Sequence, residues 1–253
     1  MGPRTSNRMV FVASAPKPSN APLAARDDMA TLEQVQYWLE ELERNSIDSP
    51  RWNQEKLVFE YDNVTVEVVA FLKLVRAVQS LRSLQVLCEN GLFIDFFTII
   101  RCITDGLNEV YFLLETYPHH SSNVKKFIAN FRETTIDGHL SASTEFVESK
   151  KIQNSKARAI SNDATFNIVQ ESIRRIFKTF SGYIHSNYSH IMEIYGGKPT
   201  NLRFQLSGVP SRAQKLQHSQ FIGEMVNDVA LTIAFMAQKL SLGQLEKDIV
   251  KHC

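Results

Sequence analysis

Leu92-Phe93-Ile94-Asp95-Phe96-Phe97-Thr98-Ile99-Ile100-Arg101-Cys102-Ile103-Thr104-Asp105-Gly106-Leu107-Asn108-Glu109-Val110-Tyr111-Phe112-Leu113-Leu114-Glu115-Thr116 decides the fold class. Leu92, Phe96, Ile99, Ile103, Leu107, Val110 and Leu114 recur at steps of three and four, so they form one stripe on a helix. Asn90-Gly91 ahead of the stretch is a helix-stop signal, and Pro118 follows it. Its greasiest run, Leu92 to Ile103, is interrupted by Asp95 and Arg101 and is too short to cross a bilayer. The stretch therefore reads as a core helix, and its neighbours must supply the apolar faces that cover it.

Those neighbours are also helical. Upstream, Asp28 to Asn45 is a first helix: Thr31 and Gln34 have capping-box spacing, with Asp27 and Asp28 as rival caps, and Ser49-Pro50 stops it. Val68, Phe71, Leu72, Val75 and Val78 carry a helix from about Asn63 to Glu89. Leu57-Phe59-Tyr61 and Val64-Val66-Val68 alternate around Asp62-Asn63, so a short hairpin over 57–68 is the alternative for its start. Downstream, Ser121 or Ser122 caps a helix through about Phe131, and residues 132–162 are polar with weak periodicity. Asn162 or Asp163 caps a helix carrying Phe166, Val169, Ile173, Ile176, Phe177 and Phe180, which Gly182 ends. A short helix follows over Ser186 to Tyr195, stopped by Gly196-Gly197-Lys198-Pro199. Residues 198–214 form a loop with an extended piece at Asn201 to Leu206. The last long helix runs from about Ala213 to Leu242 with Ile222, Val226, Val229, Ile233, Met236 and Leu240 inward, and Leu245 to Cys253 is a frayed end. No repeat or interdomain linker interrupts this pattern. The expectation is one all-α domain over 27–253, a bundle of about six to eight helices.

Composition narrows the function classes. With 253 residues, 43% of them hydrophobic, the chain can build one sizeable core. A net charge of +1 gives no bulk attraction to nucleic acid or acidic lipid. Residues 1–26 hold Arg4, Arg8, Lys17 and Arg26 without an acidic residue, beside Pro3, Pro16, Pro18 and Pro22. That composition reads as a disordered tail; it resembles a transit peptide superficially, but the prolines interrupt any amphipathic helix. Cys88, Cys102 and Cys253 show no paired spacing, and Cys88 and Cys102 fall on apolar helix patterns where a buried thiol is the ordinary outcome. Sparse, unpaired cysteine suits a reducing compartment, so a soluble cytoplasmic protein is expected.

Two segments hold candidate chemistry. Arg101 and Asp105 lie four apart and Asn108 one turn further, all on a helix otherwise apolar. They are either a surface ion pair worth under about 1 kcal/mol or a buried network, because a polar trio buried without partners costs several kcal/mol. The second segment, Ser181 to Gly197, concentrates Tyr183, His185, Tyr188, His190 and Tyr195. His185 is a candidate acid/base group, because its pKa lies near neutrality, or a core histidine satisfied by a tyrosine or a carbonyl. His185 and His190 are five apart, which puts them on different helix faces, and no His-Glu-x-x-His pattern exists; no metal site is expected. His119-His120 sit beside Pro118 in a loop and read as solvated. Gly196-Gly197-Lys198-Pro199 with Arg203 is a phosphate-loop candidate, set against the plainer interpretation as a helix stop; it lacks the Walker pattern and follows a helix. No dinucleotide fingerprint or nucleophile elbow is present, so no cofactor is expected.

Arg132 and His139 match the loose end of the Arg-x(4–6)-His spacing of the HEPN ribonuclease superfamily, all-helical proteins that act on RNA phosphates. The resemblance implies an arginine that holds the phosphate and a histidine that moves the proton. More extensively, Leu74-Val75-Arg76-Ala77-Val78-Gln79-Ser80-Leu81 through Arg101-Cys102-Ile103-Thr104-Asp105, and Ser181-Gly182-Tyr183-Ile184-His185 through Tyr195-Gly196-Gly197-Lys198-Pro199, resemble an uncharacterised family of bacterial all-helical proteins. Its motif there is Tyr-x-His, then His-Ile-Met-Glu, then Gly-Gly-x-Pro. The resemblance covers Ala70 to Ser211 and implies that Arg101, Asp105, Tyr183, His185 and His190 form one constellation, with no activity to carry over.

Two functions remain. The preferred one is a helical binding or regulatory protein, with a small molecule or another protein as its partner. The candidate site groups are Arg101, Asp105, His185 and His190, with Asn108, Tyr183, Tyr188, Lys198 and Arg203 as ligand contacts. The alternative is a HEPN-like phosphate-directed hydrolase or ribonuclease, in which Arg101 binds the anion, His185 moves the proton and Asp105 orients Arg101 or His185.

Overall fold

In a computed structural model, which describes residues 30–132 and 147–253, the stretch from Leu92 becomes helix α3 (Phe93–Leu114). Phe96, Ile100, Ile103, Leu107, Val110, Leu113 and Leu114 on it are fully buried. A helix apolar nearly all round has to be enclosed. The chain encloses it with α2 (Val66–Asn90), α5 (Ser149–Ile160), α6 (Phe166–Ile184) and α8 (Arg212–Lys239). Helix α1 (Leu32–Ser46) covers α2 and α8, and α4 (Ser122–Arg132) lies on α2. The protein is an all-α bundle with two small hairpins. Among the described residues no helix is long and apolar enough to cross a membrane. The expected tail, residues 1–26, lies outside the described residues.

Local chemistry sets the boundaries. Thr31 caps α1 and closes a capping box with Gln34, each side chain taking the other's backbone N–H. Thr65 caps α2 by accepting from the Val68 N–H. Gly91 ends α2 at φ 68°, and a Cβ there would sit 2.2 Å from the Val209 carbonyl oxygen, so the turn and the close approach both require glycine.

Several expectations need correction. A hairpin does precede α2, but its strands are β1 (Arg51–Asn53) and β2 (Val58–Glu60), earlier than 57–68. Asn53 Oδ1 accepts from the Glu55 and Lys56 N–H groups and Leu57 takes φ 54°, which puts the turn there and not at Asp62-Asn63. Gly196-Gly197-Lys198 is not a helix stop but most of β3 (Tyr195–Lys198), which pairs antiparallel with β4 (Asn201–Phe204). The helix expected over Ser186 to Tyr195 shortens to α7 (Tyr188–Ile191) and one 3-10 turn, Met192–Ile194. Gly182 does not end α6; it lies inside, buried against the His190 ring, where a Cβ would meet Cε1 at 2.1 Å. Ile176 on that helix faces solvent. The expected frayed end is helix α9 (Gly243–Val250), folded back on α1 and α8 through Ser241 at φ 62°. Ile249 is fully buried there, and the Trp38 indole donates to Asp248. Cys102 is exposed; only Cys88 of the expected pair is buried.

Candidate functional site

On α3 the side chain of Arg101 turns toward α6. Its Nε donates to Asp105 Oδ2 (2.9 Å), its Nη1 donates to the Phe177 carbonyl (3.0 Å), and its guanidinium carbon lies 3.2 Å from the Phe177 ring centroid. The arginine is 6% exposed, so one residue of α6 supplies both a stacking surface and an acceptor for a charge taken out of water. Of the two interpretations of the trio, the buried network holds for Arg101. Burial also pushes the Asp105 carboxyl up to about 6 against the pull of Arg101, with Glu109 adding to the rise. Glu109 is itself paired with Lys73 at 2.7 Å.

Asn108 differs from its neighbours. It is 1% exposed, and neither its amide oxygen nor its amide nitrogen has a hydrogen-bond partner. Buried amides in folded proteins are nearly always paired, because an unmade bond costs about 1–3 kcal/mol. The residue lines a half-open cavity of about 100 Å³ between α3, α5 and α6. Arg101 and Asp105 share that wall, Ser149 and Gln153 of α5 form the opposite one, and Phe177 closes the α6 side. Arg101 Nη2 and Asp105 Oδ1 also have no partner among the described residues. Donors and acceptors without partners thus converge on one small space, which is the candidate site.

The tyrosine–histidine segment does not join it. Tyr183 donates its hydroxyl to Glu193 at 2.9–3.0 Å, and burial together with that carboxylate pushes its ionisation well upward. Its ring packs on Phe97 (4.7 Å between centroids) and edge-on to His190 (4.2 Å). His190 contacts Ser189 through Nδ1. Phe177 and Tyr183 are six residues apart on α6, about 9 Å along the axis, and no hydrogen bond or ion pair links Arg101 or Asp105 to Tyr183, His185, Tyr188 or His190. His185 lies exposed just past α6, and Tyr188 is 80% exposed. Lys198 and Arg203 are exposed on the second hairpin, with no ion pair among the described residues. The implied constellation is therefore two clusters: Arg101, Asp105 and Asn108 at one level of the α3–α6 seam, Tyr183, His190 and Glu193 at the next. His139 lies outside the described residues, as does the side chain of Arg132, so the Arg132/His139 pair has no geometry here.

A third cluster has no counterpart in the sequence reasoning. Lys156 on α5 is buried and donates to both carboxylate oxygens of Asp228 on α8, each at 2.7 Å. One turn of α3 further on, Glu115 accepts from Ser155 (2.7 Å) and from Arg158 Nη2 (2.9 Å), and the arginine holds its carboxyl below the usual range. Tyr111 beside Lys156 is pushed up to about 12 by burial. The only local hint is Lys156 flanked by the small residues Ser155 and Ala157, which let α5 approach closely. His218 was also missed. Its ring lies among Phe93, Phe96, Phe97 and Phe221, its Nδ1 has no partner, and burial lowers its pKa. Among the described residues no group of three His, Cys, Asp or Glu side chains comes together as a metal site.

In comparisons with known proteins the chain matches no family model, no curated protein and no solved structure.

Proposed function

We propose that this is a helical binding or regulatory protein whose Arg101–Asp105–Asn108 cavity receives a small polar ligand. One observation carries the proposal: Asn108 is buried with its whole amide unpartnered among the described residues, at a cavity that Arg101 and Asp105 also line. A deficit of this kind is rare in folded proteins and calls for a partner. A ligand, or ordered water standing in for it, removes the deficit on binding. Three free cysteines support cytoplasmic residence as part of the same proposal.

The alternative, a phosphate-directed hydrolase, needs Arg101 and a histidine to meet on one substrate. Arg101 is engaged by Asp105 and by Phe177, and His185 is exposed at the far end of α6. The binding function is preferred on that ground. The test is a thermal-shift screen of a metabolite library on the wild-type chain and on Asn108→Leu. Compounds that raise the wild-type melting temperature and leave the variant unmoved are expected. A library with no such compound would contradict the proposal.

A further inference from the structure

Resting on the binding function proposed above, we infer that the cavity takes an uncharged planar group bearing both a hydrogen-bond donor and an acceptor, of the primary carboxamide or urea class. Size gives the first constraint. About 100 Å³ admits a headgroup of a few heavy atoms, and any larger body that carries it extends out through the open side. Charge gives the second. Arg101 is matched by Asp105, and Glu109 by Lys73, which lies outside the lining, so the charged walls and their ion-pair partners together sum to neutral. A carboxylate or phosphate would have to draw Arg101 away from Asp105, from the Phe177 carbonyl and from the Phe177 ring. It would also face the carboxylates of Asp105 and Glu109. An ammonium or amidinium would face a guanidinium already in place.

Hydrogen-bond pattern gives the third constraint. Asn108 offers an NH2 donor and a C=O acceptor side by side, both unpartnered. The group that answers both at once presents the same pair reversed, as one carboxamide does to another. Its second N–H then meets Asp105 Oδ1 and its carbonyl meets Arg101 Nη2, the two neighbouring groups without partners. Burial already pushes the Asp105 carboxyl upward, which fits a site that resists further negative charge.

The experiment compares two isosteric trios, acetamide, acetate and acetamidinium, and benzamide, benzoate and benzamidinium, added to the 15N-labelled full chain. The Asn108 side-chain NH2 signals, identified by their loss in Asn108→Leu, report binding. At neutral pH the amide of at least one trio is expected to move these signals with an affinity at least tenfold tighter than its acid or amidinium counterpart. The ranking is read on the wild-type chain, so it does not depend on how well a variant folds. Tighter binding of an acid or an amidinium at the same signals would overturn the uncharged class and leave a binding protein standing. If no compound moves the signals at 50 mM (about the weakest affinity worth detecting for so few atoms), the carboxamide assignment fails, and the library screen alone then decides the broader proposal.

Discussion

The middle of α3 and its C-terminal end bury charge in different ways. At the C-terminal end every partner is taken: Lys156 holds both oxygens of Asp228, and Arg158 with Ser155 saturates Glu115. Around Arg101 the count stays open, with Asn108 unpartnered and a cavity beside it. Both regions use α5, the saturated one its C-terminal half and the open one Ser149 and Gln153 near its start. Saturated polar groups hold helices together. Unsaturated ones beside a cavity are groups with a partner still to come. One helix thus serves as a clamp at its C-terminal end and as a wall of the candidate site in its middle.

The largest effect should come from breaking the clamp. Lys156→Ala leaves Asp228 facing α5 without its cation, and removing one partner of a buried pair costs about 3–5 kcal/mol. Urea unfolding reads this directly; a loss under about 1 kcal/mol would place the Lys156 pair with ordinary surface bridges. Arg101→Ala should cost less, roughly 1.5–3 kcal/mol for a charged hydrogen-bonding group, because the Asp105 side chain is 38% exposed and water can reach it. If the two variants reversed in order, the open region around Arg101 would be the structural one.

Titration sharpens the same contrast. The folded pKa of Asp105, about 6, lies above its ordinary 3.8, so the folded chain binds this proton more tightly than the unfolded chain. Its contribution is therefore fully favourable below about pH 4 and declines as pH rises through 6. Because the group is more than a third exposed, the loss should be about 1 kcal/mol after screening. Between pH 4.5 and pH 7, Asp105→Asn should flatten the pH dependence of stability by that amount, and an unchanged slope would mean that Asp105 is solvated. His185→Ala marks the small end of the scale. An exposed histidine without a partner should change stability by less than about 0.5 kcal/mol and leave ligand binding intact.

How much of this was legible in the sequence follows from how far each signal travels along the chain. The α3 stripe is local and periodic, so the core helix and the all-α class could be read from it. Arg101, Asp105 and Asn108 stood out as polar residues on that apolar helix, and one wall of the cavity was visible in this way. Their α6 partner was not, since it is partly the Phe177 carbonyl, and a backbone group has no residue-type signal. Lys156 and Asp228 are 72 residues apart and nothing local announces their pairing. The tyrosine–histidine segment was conspicuous by composition, but Tyr183 spends its hydroxyl on Glu193, ten residues away in sequence, and closes that cluster on itself. Helix α9 was missed because its eight residues bury little more than Ile249, so periodicity had almost nothing to register.

Replacing Asn108 by leucine tests most directly the claim that the open middle of α3 is a binding site. A leucine of similar reach removes both unpartnered amide atoms and fills the cavity with carbon. If the amide is held in readiness for a ligand, the unliganded variant should be more stable than wild type by about 1 kcal/mol or more, a rise of about 2–4 °C in melting temperature for a chain of this size, and should lose every small-molecule response. A less stable variant, or one that still responds to the same compounds, would contradict the account.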